Sequence, residues 1–213
     1  MPRVIETITG EGFTCPITED DDGRVHFIAD ADIDADGANG QNGGPPAYKV
    51  DNSGTEALAN GGMKVVNGKV ICAASGARGI AILDTDNEPK VFPGGVIASK
   101  TSYRHPGKSP SDPAAYVDAE TVPYIVVPPV IRNKTAGVVL GCKARVTFRG
   151  KSVDCVVADV GTSNKIGELS IAAARAVGLP SSPRSGGTEK PEVLYELFPG
   201  VAAPGFVLQP SHG

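Results

Sequence analysis

Short runs of alternating apolar and polar residues, cut by Gly and Pro, dominate this chain and predict strands nearly everywhere. Residues 25–29 form one such run, and it leads without a break into Asp30-Ala-Asp-Ile-Asp-Ala-Asp-Gly37. The period of two puts Asp30, Asp32, Asp34 and Asp36 on one side of an extended segment. A hairpin is predicted over 65–72 around Asn67-Gly68, and short strands over 79–83 and 96–98. Residues 125–127 read as a core strand between Pro123 and Pro128-Pro129, positions where a missing N–H is tolerated. Residues 138–140 and 144–148 predict a strand pair, and Arg149-Gly150-Lys151 turns the chain into a strand over 153–158.

One helix stands out. Ser170 is a natural N-cap, Val177 ends the apolar stretch, Gly178 supplies the left-handed stop and Pro180 prevents continuation. The apolar run 193–198 near the end can close the sheet as a last strand. Between these elements, residues 37–68 and 105–115 are loops rich in Gly, Asn, Ser and Pro. The pattern predicts a mainly β protein with a few short helices, a small closed or nearly closed barrel with long loops, forming one domain over residues 1–213.

Composition agrees with that reading. Gly (27) and Pro (18) make up about a fifth of the 213 residues, Trp is absent, and 40% apolar content suffices for a core. A formal charge of −4 is too small to name a partner, so where the acids lie matters more than their sum. No run of about 18 apolar residues predicts a membrane span. The N-terminus, Met1-Pro-Arg-Val-Ile-Glu-Thr, lacks the apolar core of a secretory signal. Cys15, Cys72, Cys142 and Cys155 are widely spaced, without C-x-x-C and with only three His, so buried free thiols are expected rather than a zinc site.

The candidate chemistry lies in residues 156–170, an apolar strand running into a polar loop with two glycines and then into the helix start. Asp159 and Glu168 mark the two ends of that loop, and two carboxylates there can divide acid and base roles if their surroundings separate their pKa values. Spacing alone equally allows Asp159 to satisfy a turn and Glu168 to decorate a helix N-terminus. The aspartate row invites a cation or a polycationic ligand. Asp32-x-Asp34-x-Asp36-Gly37 matches the first half of an EF-hand loop, but Gly43 stands where the bidentate Glu belongs.

Several blocks together resemble the chitosanases of glycoside hydrolase family 75. They are Asp32-Ile-Asp-Ala-Asp-Gly37, Ser102, Tyr116-Val-Asp-Ala-Glu-Thr-Val-Pro-Tyr-Ile-Val126, and above all Ala158-Asp-Val-Gly161 with Lys165-Ile-Gly-Glu-Leu-Ser170. The resemblance covers roughly residues 25 to 180. It implies an endo-acting enzyme that cuts the β-1,4 bonds of chitosan with inversion, using Asp159 and Glu168. The strand–loop–helix block is also similar to the six-stranded double-psi β-barrel of family 45 endoglucanases and expansins. Further implications are a monomer acting on chitosan and chito-oligosaccharides, with no cofactor or metal, no nucleic acid and no membrane. Secreted family members carry a signal peptide, which this N-terminus does not show.

Under that resemblance Asp32, Asp34, Asp36, Asp118 and Glu120 are expected to meet the ammonium groups of glucosamine. Ser102, Tyr103, Tyr116, Asn164 and Lys165 complete the expected substrate contacts. Glu168 is the expected acid and Asp159 the base, because Glu starts from the higher pKa; the N-terminus of the helix just after Glu168 favours its charged form and so the reverse. Three other functions stay open: a hydrolase or lytic enzyme for peptidoglycan or another β-1,4-glycan, an expansin-like binding module, and a calcium-stabilised domain.

Overall fold

β-Branched and aromatic residues at every second position give this chain thirteen strands among the residues described, 1–10, 12–163 and 165–210 of a computed structural model. In chain order they are β1 (Arg3–Gly10), β2 (Phe13–Glu19), β3 (Val25–Asp34), β4 (Tyr48–Lys49), β5 (Met63–Val66), β6 (Lys69–Cys72), β7 (Val91–Phe92) and β8 (Val96–Ile97). After them come β9 (Tyr124–Val127), β10 (Cys142–Phe148), β11 (Lys151–Val160), β12 (Glu168–Ser170) and β13 (Thr188–Ala202). The helices are short: α1 (Ala77–Ile80), α2 (Pro129–Lys134) and α3 (Ile171–Val177). No described helix is long and apolar enough to cross a membrane.

Where one domain was expected over 1–213, the chain forms two compact units. The first joins Met1–Asp34 to Val122–Gly213, and the second is Ala35–Thr121.

In the first unit, β3, β12, β9, β11, β10 and β13 pair in that order, and β13 returns to β3. The result is a closed six-stranded barrel, as the strand pattern and the resemblance led one to expect. β2 pairs with the far end of β3, and β1 with β2, as an extension of the same sheet. The pairs β3–β12 and β9–β11 are parallel; the other barrel pairs are antiparallel. β13 pairs along one edge with β10 and along the other with β3. Its register slips where Pro191 and Pro199 interrupt it, as expected of a residue that cannot donate to a ladder.

Alternation along β3 and β13 buries Val25, Phe27 and Ala29 against Val193, Tyr195 and Leu197. Phe27 and Tyr195 stack with ring centroids 5.0 Å apart, and the Tyr195 hydroxyl donates to the Asp30 carbonyl at 3.0 Å. A large apolar side chain buried this way contributes about 2 kcal/mol. α3 is capped as the sequence predicts: Ser170 Oγ accepts the Ala173 N–H, and Gly178 closes the helix at φ 83°. Cys15, Cys142 and Cys155 are buried free thiols, and Cys72 is a half-buried one.

The second unit holds the small sheet β4–β8–β7 and the hairpin β5–β6, turned at Asn67 and Gly68 with φ of 50° and 76°. Ile82, Ala98, Ala115 and Tyr116 form a core with Phe92 against it. Polar side chains tie its long loops: Asn39 Oδ1 accepts the Ser99 N–H at 2.8 Å while its amide donates to the Ser99 carbonyl at 3.0 Å.

Two predicted strands are absent. Residues 79–83 begin in α1 and then make only single bridges, Ala81 with Ser99 and Leu83 with Pro89, because the neighbouring glycine and proline turns allow no longer ladder. Residues 138–140 make one bridge, Leu140 with Gln209. The partner of the strand over 144–148 is instead β11, folded back across the Arg149-Gly150 turn.

Candidate active site

Four strands of the barrel carry one row of residues. Asp32 of β3 is in register with Glu168 of β12, Glu168 with Val126 of β9, and Val126 with Asp159 of β11. Residues directly opposite one another project to the same side of a sheet. Glu168 and Asp159 therefore flank Val126, and two strand spacings separate their Cα atoms by about 10 Å.

The position of Asp159 depends on a β-bulge. Val157 faces Ile125 and Asp159 faces Val126, so Ala158 is the extra residue. Without that insertion Ala158 would oppose Val126 and Asp159 would turn to the other side. Gly161 gives independent support for the arrangement. A methyl group on its Cα would lie 3.3 Å from Val126 Cγ1 and 3.7 Å from Glu168 Oε2, so this backbone passes beside the Glu168 carboxyl.

Asp34 joins the row from the end of β3, opposite Ser170. One of its carboxylate oxygens lies within 4.8 Å of one from Asp159. Their strands are three spacings apart, about 14 Å along the sheet, so the curl of the barrel and the reach of the side chains close that gap.

The loop into β12 is held on β3 at Gly167, whose carbonyl accepts the Asp32 N–H at 2.7 Å. Gly167 has φ 93°, and a Cβ there would meet Asp30 Oδ1 at 2.2 Å, so only glycine fits. Ser170 fixes the other end. Its Oγ accepts the Tyr124 N–H at 3.0 Å and donates to the Val122 carbonyl at 2.9 Å, besides capping α3.

Electrostatics separates the two acids. Burial, and then the Asp34 carboxylate, push the Glu168 carboxyl up to about 8; Asp159 and Asp32 add to this and Lys165 opposes it. The Lys165 ammonium lies 2.9 Å from Asp32 Oδ2 and 3.7 Å from Glu168 Oε1. Asp159 is buried, and its Oδ1 accepts the Val160 N–H at 2.7 Å.

Asp159, Glu168, Asp32, Asp34 and Lys165 are thus brought together in the first unit. Glu168 opens a short strand two residues before the cap of α3, in keeping with its expected place just ahead of the helix. Because Asp32 and Asp34 belong to a paired strand, they cannot form the loop an EF-hand needs. Asn164 lies outside the described residues.

Asp36, Ser102, Tyr103, Tyr116, Asp118 and Glu120 belong to the second unit. Ser102 is exposed and Glu120 half-buried. Tyr103 and Tyr116 are corrected as sugar platforms because neither ring has an open face. Tyr116 sits in the core with its hydroxyl donating to the Pro110 carbonyl, and Tyr103 is 1% exposed, edge-on to His105. Asp118 is corrected as a substrate carboxylate, since it is buried and accepts from the Asn42 amide (2.7 Å), the Glu120 N–H (3.0 Å) and the Thr121 hydroxyl (3.2 Å).

Sequence reasoning missed Val126, the register point between the two acids, and the bulge that aims Asp159. The glycines were visible, but only as loop formers. No family model matches this chain, and no curated protein is significantly similar to it.

Proposed function

We propose that this protein is an endo-acting glycoside hydrolase that cleaves the β-1,4-glucosamine linkages of chitosan by an inverting two-carboxylate mechanism. The observation that carries the reading is a carboxyl held up to about 8 in the same cross-strand row as a second acid. At neutral pH such a group keeps its proton and can give it away, as a general acid must.

Glu168 donates that proton to the glycosidic oxygen as the bond to the anomeric carbon breaks. Asp159 takes a proton from the water that attacks the opposite face, and the new hydroxyl forms with inverted configuration. The cycle leaves Glu168 ionised and Asp159 protonated, and exchange with solvent resets both. Inversion needs about 6.5–9.5 Å between the carboxyl groups to admit the water, and Cα atoms about 10 Å apart on one face are compatible with that gap. Glucosamine as the substrate rests on the resemblance to family 75 and on charge. Asp32 and Asp34 stand on the same strand face as the acid, and negative side chains attract a chain of ammonium groups.

The test is NMR of glucosamine hexamer during digestion, following the anomeric protons of the new reducing ends. The expected product is first the α-anomer; a β-anomer overturns inversion. Reducing ends from cellulose or peptidoglycan but none from chitosan overturn the substrate. Binding without new reducing ends makes the barrel an expansin-like module.

A further inference from the structure

We infer that Lys165 is a positioning residue for Glu168: an ammonium anchored on Asp32 that holds Oε1 of the acid and limits how firmly it keeps its proton. The inference rests on the reading of Glu168 as the general acid.

The geometry gives Lys165 this part. Its Nζ is 2.9 Å from Asp32 Oδ2 and 3.7 Å from Glu168 Oε1, so one cation bridges neighbouring carboxylates of a parallel strand pair. The Lys165 side chain is 35% exposed and that of Glu168 20%, so the bridge is partly shielded from water and salt. The Gly167 carbonyl, bonded to the Asp32 N–H, ties the backbone between Lys165 and Glu168 to β3.

Charge argues against the substrate contact first expected of Lys165. A groove for a polycation gains nothing from a lysine, which repels the ligand, unless its charge is already engaged elsewhere. Asp32 and Glu168 engage it. The charges facing Glu168 make such a cation necessary. β3 brings Asp32 and Asp34, β11 brings Asp159, β9 brings only the uncharged Val126, and β13 contributes the neutral Tyr195. Lys165 is the cation that acts most strongly on Glu168 among the described residues. An acid surrounded only by carboxylates would hold its proton too firmly to release it to a leaving oxygen, and the ammonium offsets part of that crowding.

The decisive measurement is a carbon-13 carboxyl NMR titration of Glu168 in the full-length chain, with the resonance assigned by its loss in Glu168→Gln. Removing the cation in Lys165→Met should raise the Glu168 midpoint by about one pH unit or more. Lys165→Arg should restore it to near the wild-type position. Asp32→Asn deletes a like charge and frees the ammonium to move onto Glu168, so the midpoint should fall. In turnover, the basic limb of kcat/KM should move with the midpoint in each variant. A midpoint unchanged in Lys165→Met overturns the inference, as does a variant that raises KM while the limb stays fixed, the mark of a substrate contact. The titration needs no turnover. Wild-type protein inert on amino-sugar polymers therefore overturns the hydrolase reading and still leaves the role of Lys165 decided.

Discussion

Asp118 of the second unit and Glu168 of the barrel are both acids in or beside loops, yet their surroundings are opposite. Asp118 accepts three hydrogen bonds, from an amide, a backbone N–H and a hydroxyl. Other acids of that unit behave alike. Asp84 accepts the N–H groups of Asp86 and Glu88, and Asp51 accepts from the backbone and side chain of Ser53, which with Lys49 hold its carboxyl below the usual range. A cavity of about 420 Å³ in the second unit is likewise edged by Asp84 and by Glu88, whose Oε2 accepts the Cys72 N–H at 2.6 Å. Glu168 is pressed instead by Asp34, Asp159 and Asp32, with Lys165 against them. An acid surrounded by donors is spent on structure. An acid surrounded by acids costs stability, and its surroundings instead suit it to hold and deliver a proton.

The strongest break of this comparison is to remove each kind of acid. Glu168→Gln and Asp159→Asn should each lower chitosan cleavage, read as new reducing ends, by about 10³-fold or more while the protein stays folded. Asp118→Ala should do the reverse. It should leave the cleavage rate within a few-fold of wild type and cost about 1–3 kcal/mol of stability, because three donors lose their acceptor. Loss of turnover in Asp118→Ala with an unchanged melting point would erase the distinction.

Next in size is the pH dependence of stability. The Glu168 carboxyl is raised from an ordinary 4.5 to about 8, so the folded protein binds a proton that the unfolded chain has released. That contribution is complete below about pH 4.5 and is lost as pH rises toward 8. Over this window it should amount to a few kcal/mol, reduced by the exposure Glu168 retains. Urea midpoints measured between pH 4.5 and 8 should fall with rising pH in the wild type, and Glu168→Gln should flatten most of that slope. A wild type more stable at pH 8 than at pH 5 would mean that Glu168 is not held protonated. The same proton predicts that kcat/KM declines above about pH 8.

Local backbone sharpens the picture at smaller scale. Gly167→Ala puts a Cβ into Asp30 at φ 93° and should cost about 2–3 kcal/mol, lowering the unfolding midpoint by about 5–10 °C. Gly161→Ala has ordinary φ and only tight contacts, 3.3 Å to Val126 and 3.7 Å to Glu168. It should melt near the wild type and lose activity, because the added methyl crowds the carboxyl it faces. Equal melting losses in the two variants would remove the argument that Gly161 borders the site.

Much of the barrel was legible because strands announce themselves locally. The Ser170 cap, the Gly178 stop and the Asn67-Gly68 turn each follow from the conformation one residue type prefers. What stayed hidden depends on pairing between distant segments. The bulge at Ala158 exists only relative to β9, and Asp32 meets Glu168 only because β12 lies parallel to β3. The sequence row Asp30, Asp32, Asp34 and Asp36 reads as four equivalent acids. In the fold Asp30 is buried beneath Gly167, Asp32 holds Lys165, Asp34 reaches Asp159, and Asp36 lies beyond the strand in the second unit. The tyrosines misled for a related reason: an aromatic beside polar residues reads as a platform, and only packing reveals that Tyr116 fills a core.

The smallest effect expected concerns how a cationic polymer finds the barrel acids. Asp32 keeps 40% of its side chain exposed, so its attraction for an ammonium group is screened, and an exposed pair of this kind is worth at most about 1 kcal/mol. The Debye length shrinks from about 10 Å at 0.1 M salt to about 3 Å at 1 M, which removes attraction at a distance and leaves contact chemistry almost untouched. Cleavage of long chitosan at low concentration should therefore slow by no more than about tenfold over that range, through kcat/KM. Turnover of saturating glucosamine hexamer should hardly change, since encounter no longer limits it. Asp32→Asn should weaken the salt dependence for polymer only in part, since the Lys165 ammonium already offsets some of the Asp32 charge, whereas Asp118→Ala should leave it as in the wild type, because Asp118 is buried away from an incoming polymer. A salt response identical in wild type and Asp32→Asn would mean that the polymer is not drawn in by the exposed end of the row.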